Sequence, residues 1–430
     1  MSKSSYLKPA TIALHTGYEP ESDFGSRAVP IYQTTSYQFE NASRAASMYN
    51  LEQGGHIYSR ISNPTVGVLE QRLAALEGGS GAVCTASGMS ALFAIFITLC
   101  SSGDHIVASE QLYGSTGTLL GHTLKRLGIA CDFVHINDPD AIKAAIKPNT
   151  KLVFCESISN PGMQVANLPM IGKIANENGL PLVVDATFAT PVLHRPFDHG
   201  ANIIMHSITK WIGGHGAAIG GVIIDGGNFD WGASGRFPEL TEPYAPYHGL
   251  RFWEEYGPAA FIMKVRAESM CDLGAALSPQ NAFLILQGVE TLELRMEKHV
   301  RNARGLRDWL LEQENVKWVR HPELDAEDFV GELFPKGAGA MVCFGVEGGR
   351  EGGVAFIQNV QIATHLANVG DSRTLVLHPG STTHFRLDKE ALAAARITED
   401  MIRVSIGLED LDDIKTDFAK GIKAASRVAR

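Results

Sequence analysis

The chain of 430 residues is 45 % hydrophobic and 20 % charged, a balance that lets it bury a large core and excludes disordered and fibrous classes. Its formal net charge of −10, without a block of like charges, argues against nucleic-acid binding. No apolar run approaches the ~20 residues of a membrane span, the N-terminus (MSKSSYLKPATIALH) lacks the apolar core of a signal peptide, and the six cysteines are scattered without a C-x-x-C pair, which reads as reduced structural thiols in a cytoplasmic enzyme.

Residues 1–63 are rich in Ser, Thr, Tyr and Asn with few periodic apolar positions. They read as an irregular arm that packs on another surface, in the same chain or on a neighbouring subunit. From Asn63-Pro64 onward, Val66, Leu69, Leu73 and Leu76 recur at helical spacing and stop at Gly78-Gly79, a helix with a glycine stop signal. Short apolar runs at His105–Ala108, Cys131–Val134, Leu152–Cys155, Leu182–Val184 and Ile203–Met205 predict buried strands. Amphipathic stretches at 114–127, 139–147 and 169–178 predict the helices between them. Such alternation predicts an α/β fold with a mostly parallel sheet covered on both faces, its ligands bound beyond the carboxyl ends of the strands. Residues 226–262 form an excursion rich in Pro, Gly and aromatic residues, and 291–314 a long helix. A strand-like segment from Gly339 to Val346 and a terminal helix after Asp412 follow. The chain thus divides into an arm (1–63), a larger α/β domain (64–288) and a smaller α+β domain (289–430), with the boundary near Gly288.

Motif searches are mostly negative. The sequence contains no G-x-G-x-x-G after a strand, no P-loop, no G-x-S-x-G elbow and no H-E-x-x-H, and the fifteen histidines show no metal-ligand spacing. Gly213-Gly214-His215-Gly216 reads as a place where backbones pack closely. Three strand ends carry chemistry instead. Leu182-Val183-Val184 ends in Asp185, Ile203–His206 runs into Ser207-Ile208-Thr209-Lys210-Trp211, and Ser87-Gly88-Met89 opens the apolar helix 90–100. Taken singly, a helix-capping acid, a solvated lysine and an ordinary N-cap serine account for them. Together they describe one site. A helix N-terminus at Gly88 and Met89 offers backbone N–H groups to a phosphate, and Ser207 and Thr209 add hydroxyl donors. Lys210 is placed to form a Schiff base with an aldehyde, and Asp185 to pair with a protonated ring nitrogen. The cofactor suited to those parts is pyridoxal 5′-phosphate, with no metal.

The string Ser207–Trp211 followed by Gly213–Gly216 resembles the cofactor-lysine motif of the Cys/Met-metabolism pyridoxal-phosphate enzymes. So do Tyr58-Ser59-Arg60 with Asn63-Pro64-Thr65, Glu156-Ser157 with Asn160-Pro161, and Arg403-Val404-Ser405 with Gly407, in family order along nearly the whole chain. The resemblance implies fold type I, the aspartate aminotransferase-like arrangement of the pyridoxal-phosphate transferases. It also implies that Lys210 carries the cofactor, Asp185 pairs with its ring nitrogen, and Gly88, Met89, Ser207 and Thr209 hold its phosphate. Tyr113 would stack on the ring and move protons, Asn160 would contact the ring hydroxyl, and Thr187 would belong to the cofactor site. Tyr58 and Arg60 would reach the phosphate of a neighbouring subunit, with Tyr58 also near substrate, in an obligate dimer paired into a homotetramer.

Arg403 sits between Ile402 and Val404, where a charge is costly unless it faces a ligand. In the family that residue grips the substrate α-carboxylate through two hydrogen bonds, and Asn368 would share the load. Asn368, Ser115 and the 226–262 excursion are similar to the O-acetylhomoserine sulfhydrylase branch, implying γ-replacement on O-acetyl-L-homoserine. Sulfide would give homocysteine and acetate, and methanethiol would give methionine. Cystathionine γ-synthase and methionine γ-lyase chemistry, and a silent cofactor-binding subunit, stay open as alternatives. One departure stands out: Ala186 follows Asp185 where the family often carries Asn.

Overall fold

The computed structural model describes residues 7–20, 24–324, 328–382 and 396–429. Its larger sheet is assembled from β1 (Gly81–Thr85), β2 (His105–Ser109), β3 (Ala130–Val134), β4 (Thr150–Glu156), β5 (Leu182–Asp185), β6 (Ile203–His206) and β7 (Gly221–Asp225) in the order β1-β7-β6-β5-β4-β2-β3. β7 runs antiparallel to both neighbours, and the other pairings are parallel. The five strands paired in parallel, and β1 on the far side of β7, therefore all end along one edge. Alternate residues feed opposite cores: Val153, Cys155 and Val184 face one, and Leu152, Phe154 and Val183 face the other. Burial on both faces explains why these strands read as continuous apolar runs. The exception is β3, expected to be buried but only partly covered, because it is the outermost strand and has a neighbour on one side alone.

The smaller sheet, β8 (Val316–Arg320), β9 (Met341–Val346), β10 (Thr364–His365), β11 (Leu375–Leu377) and β12 (Met401–Ser405), has the order β10-β11-β12-β9-β8. Gly288, near which the sequence places a domain boundary, lies inside the helix Pro279–Glu290. A Cβ there would come 2.1 Å from the Gly213 carbonyl oxygen, so the glycine lets that helix rest on the turn following Lys210.

The arm is less irregular than its composition suggests. It contains α1 (Pro9–His15) and α2 (Ala42–Tyr49), and α1 buries Ile12 and Ala13 in the core of its own chain. Arg72 Nε donates to the Thr16 carbonyl at 3.0 Å, tying the arm to α3 (Pro64–Glu77). α3 starts where Asn63 Oδ1 accepts from the Thr65 and Val66 N–H groups with Pro64 in the first turn, and stops at Gly78 with φ +79°. The predicted helix over 114–127 is present but changes hydrogen-bonding pattern, with a wide turn at Leu119–Thr123 between Gly114–Thr118 and Leu124–Arg126. Within 226–262 the chain forms short helices at Pro238–Thr241 and Phe252–Tyr256. No helix among the described residues is long and apolar enough to cross a membrane.

Candidate active site

The parallel strands deliver their C-terminal residues to one cavity of about 300 Å³. Its lining brings together Gly88, Met89, Tyr113, Asn160, Asp185, Thr187, Ser207, Thr209, Lys210, Asn368 and Arg403, residues drawn from seven separate stretches of chain. Tyr58 and Arg60 do not line it. The Arg60 guanidinium donates to the Cys271 carbonyl and lies 5.3 Å from the centroid of the half-exposed Tyr58 ring, away from the chain's own cavity.

The phosphate end is built at the start of α4 (Gly88–Leu99). Ser87 and Ser90 form a reciprocal capping box, Ser87 Oγ accepting from the Ser90 N–H at 3.1 Å and Ser90 Oγ from the Ser87 N–H at 2.9 Å. That leaves the Gly88 and Met89 N–H groups, which precede the first intrahelical bonds, available to an anion. A Cβ on Gly88 would lie 2.8 Å from Ser207 Cβ. Only glycine lets this helix end come so close to the Lys210 turn, which sets its free N–H groups beside Ser207. Thr209 also lines the cavity, and in the chain alone its hydroxyl donates to the Gly220 carbonyl at 3.1 Å and accepts from the Gly220 N–H at 3.0 Å, which fixes the turn.

Lys210 Nζ donates to Asn368 Oδ1 at 2.5 Å. Burial, reinforced by the nearby Arg403 charge, lowers its pKa from 10.5 to about 8. The turn that carries it is clamped from behind. Arg295 donates to the carbonyls of Trp211 at 2.7 Å, Ile212 at 3.1 Å and Gly288 at 2.7 Å, a clamp that the sequence reading missed. Nothing in its helical context distinguishes it from a surface arginine.

Two acids stand side by side at the strand ends, Glu156 of β4 paired in register with Asp185 of β5. Asp185 Oδ1 accepts from the Thr187 N–H at 2.9 Å, and Thr187 Oγ1 accepts from the Ser207 N–H at 2.9 Å. Burial raises the Asp185 pKa, partly countered by Thr187 and by His206. Burial, and then Asp185 itself, raises that of Glu156 well above the carboxylate range. Glu156 nonetheless has two donors aimed at it, the Tyr113 N–H at 2.5 Å and the Asn160 N–H at 3.1 Å. The motif Glu156-Ser157 was visible in sequence, but its carboxylate had no assigned role. Ala186 is fully buried in the apolar core, where an asparagine amide would need a partner.

Arg403, on β12, is 8 % exposed, and burial lowers its pKa. Its Nη1 donates to Asn160 Oδ1 at 3.1 Å. Asn160, expected to contact a ring hydroxyl, and Asn368, expected to share a substrate carboxylate with Arg403, pair with the chain's own groups in the structure. Asn160 faces Arg403, and Asn368 faces Lys210. A second cavity of about 610 Å³ adjoins the first beyond Tyr113 and shares Met89, Asn160 and Arg403. It adds Ser115, Thr118, Leu119 and Thr123.

A helix N-terminus with two free N–H groups, a half-buried amine of lowered pKa and a half-buried acid therefore share one cavity, and this donor set fits pyridoxal 5′-phosphate. Among the described residues no group of His, Cys, Asp and Glu is arranged to hold a metal ion.

The family model described as Cys/Met metabolism PLP-dependent enzyme matches residues 10–423. The chain is 46 % identical over 420 residues to homocysteine synthase of Schizosaccharomyces pombe, covering 96 % of this chain and 98 % of that one. It is 47 % identical over 417 residues to O-acetyl-L-homoserine sulfhydrylase 1 of Thermus thermophilus, covering 96 % and 99 %. A crystal structure of an O-acetylhomoserine (thiol)-lyase from Campylobacter jejuni, which contains N′-pyridoxyl-lysine-5′-monophosphate, superposes with a TM-score of 0.94 at 40 % identity, covering 97 % of this chain and all of that one.

Proposed function

The chain belongs to the Cys/Met metabolism PLP-dependent enzymes, and from that premise we propose that it transfers the 3-amino-3-carboxypropyl group of O-acetyl-L-homoserine to sulfide. The Cγ–O bond breaks to release acetate, and a Cγ–S bond forms to give L-homocysteine. Relatives named homocysteine synthase and O-acetyl-L-homoserine sulfhydrylase at 44–47 % identity over almost their full length support this reading. The observation that carries it is the meeting of Lys210, Asp185, Arg403 and the α4 N-terminus in one cavity.

Pyridoxal 5′-phosphate supplies, when bound, an electron sink for the amino-acid α-carbon. The residues prepare for it. Gly88 and Met89 N–H groups and the Ser207 hydroxyl bind the phosphate, and Thr209 holds their turn. Asp185, kept in orientation by Thr187, would pair with the cofactor's ring nitrogen, and a proton on that nitrogen would favour the carboxylate form over the neutral acid that burial alone favours. Arg403, held through Nη1 by Asn160, turns its other N–H groups to a two-pronged grip on the substrate α-carboxylate, and Asn368, on leaving Lys210, adds an amide. Gripping that carboxylate would fix the substrate's Cα–H bond relative to Lys210, which lines the same cavity. Lys210, with its pKa near 8, takes the Cα proton and returns it, since an amine poised close to working pH is both base and acid. The Tyr113 ring covers the site, and its hydroxyl is the proton donor on the outer side. The second cavity gives sulfide, or a small thiol such as methanethiol, an approach past Tyr113 and Ser115.

Tyr58 and Arg60, lying away from the chain's own cavity, complete a neighbouring subunit's phosphate site in this proposal, within a dimer paired to a tetramer. Its cytoplasmic setting is supported by six cysteines that are all free thiols. The division into arm, cofactor domain (64–288) and C-terminal domain (289–430) belongs to the same proposal.

The test is purified protein with pyridoxal phosphate, O-acetyl-L-homoserine and sulfide. Homocysteine and acetate are expected in equal amounts. Cystathionine from added cysteine, or 2-oxobutanoate with ammonia, in place of homocysteine would move the activity to another branch of the family. Absence of a bound chromophore would overturn the site itself.

A further inference from the structure

We propose that Glu156 is a positioning residue whose single carboxylate sets the carboxylate grip of the substrate site in register with the ring site. The inference rests on the proposed function of the cavity and deepens it. Glu156 ends β4 directly opposite Asp185 of β5, and both side chains line the same cavity. Its two oxygens are used on two different loops. Oε1 accepts from the Tyr113 N–H at 2.5 Å, in the loop after β2, and Oε2 accepts from the Asn160 N–H at 3.1 Å, in the loop after β4. Asn160 in turn accepts from Arg403 Nη1 at 3.1 Å, across to the second sheet. One buried carboxylate, 6 % exposed, therefore links the residue over the ring, the residue beside the arginine, and the strand end carrying Asp185.

Two N–H groups that can only donate, one on each oxygen, oppose the burial that favours the neutral acid and select the carboxylate form, in which both oxygens are acceptors. A glutamine of the same shape presents an NH₂ to one of two N–H donors, so one loop must move away from a donor–donor contact. The burial that makes such a group expensive also makes its two bonds directional and strong, and leaves no water to replace either. A residue that merely filled space would tolerate the swap, since Glu and Gln differ little in volume.

The experiment uses the holoenzyme and two unreactive probes, L-norvaline and butylamine, which share their alkyl chain and differ in the α-carboxylate. Binding of each is measured by calorimetry and by the change in the visible spectrum of the bound cofactor. Wild type is expected to prefer norvaline strongly. Glu156→Gln should retain the cofactor, and its preference for the carboxylate-bearing probe should fall by roughly 10- to 100-fold, the range of a misaligned charge-assisted hydrogen bond, while butylamine binding stays within a few-fold. Asn160→Ala keeps its backbone N–H on Glu156 and removes its side-chain contacts, the one to Arg403 and the one expected to the ring hydroxyl; butylamine binding reports the latter and the probe preference the former. It should lose the same preference, and the double variant should lose no more than either alone. Because Asn160→Ala leaves Glu156 in place, the link through Asn160 can be read even where Glu156→Gln does not fold, and an unchanged probe preference in Asn160→Ala then overturns the proposal.

An unaltered preference in a folded Glu156→Gln, equal losses for both probes, or additive losses in the double variant overturn the positioning role while leaving the proposed function standing. A wild-type protein that does not discriminate norvaline from butylamine overturns the assignment of Arg403, and this inference with it.

Discussion

Replacing Lys210 by Met tests the electrostatics of the site in the protein without cofactor. In the folded chain the Lys210 pKa falls from 10.5 to about 8, because the ammonium is removed from water and lies near Arg403. The difference, 10.5 minus about 8, at about 1.36 kcal/mol per pH unit, is a cost of about 3 kcal/mol for keeping the side chain charged. Lys210 keeps part of its surface in contact with solvent, so about 1–3 kcal/mol is the working figure. The sign follows from proton linkage. Between about pH 8 and pH 10.5 the unfolded lysine holds a proton that the folded one has released, so wild-type stability gains with rising pH across that window, and the full penalty applies below it. Met does not titrate. Urea midpoints of the two apoproteins, measured between about pH 7 and pH 9.5, should show wild type gaining on Lys210→Met by about 1–2 kcal/mol, with the gain confined to the alkaline half. Met also gives up the bond to Asn368, so the trend with pH and not the offset carries the test. A difference that stays flat over the range would show that Lys210 titrates as an ordinary lysine, and would remove the basis for its action as a neutral base near neutral pH.

Three further outcomes are expected. Gly88→Ala puts a Cβ 2.8 Å from Ser207 Cβ, an overpacking of about 1–3 kcal/mol at the phosphate cradle. Its dissociation constant for pyridoxal phosphate should rise about tenfold or more in a fluorescence titration, and an unchanged constant would show that the helix end and Ser207 do not share an anion. Arg295→Met strands the carbonyls of Trp211, Ile212 and Gly288; the unmet bonds, offset by relief of a buried charge whose pKa is lowered to about 10, should leave a loss of about 2–4 kcal/mol. Urea unfolding of the holoenzyme reads it, and a loss near zero would mean that the clamp is not needed to hold the Lys210 turn. Arg403→Lys keeps the charge but cannot bond both carboxylate oxygens in one plane, so kcat/KM for O-acetyl-L-homoserine should fall about 10- to 100-fold with cofactor affinity unchanged. Equal kcat/KM would place the carboxylate elsewhere.

Much of the fold was legible because its strands carry a two-sided signal. β4, β5 and β6 are buried on both faces, so they appear in sequence as short apolar runs, and their last residues are the polar ones that chemistry needs. Lys210 and Asp185 could be read in this way without any coordinates, as could the capped start of α4, because each belongs to one local pattern. The arm misleads by composition. Its Ser- and Asn-rich stretches hide α1, whose apolar pair, Ile12 and Ala13, acquires meaning only where α3 and the helices Pro279–Glu290 and Leu292–Leu311 come together to cover it.

What the sequence determined by itself, then, was the set of chemical groups and the sheet edge to which they go, since strand periodicity and helix caps are local properties of the chain. Which groups touch was decided by tertiary structure alone. Glu156 carries the same strand-end signal as Asp185, yet the two differ because Asp185 receives a local N–H from Thr187, while Glu156 receives one from Tyr113, 43 positions away. Arg295 looks like any helical arginine until the Lys210 turn presents its carbonyls. Arg403 and Asn160 are 243 residues apart in sequence and 3.1 Å apart in space. A hydrogen bond depends on ångström-scale direction between groups whose separation along the chain is arbitrary, and only the packed sheets supply that direction.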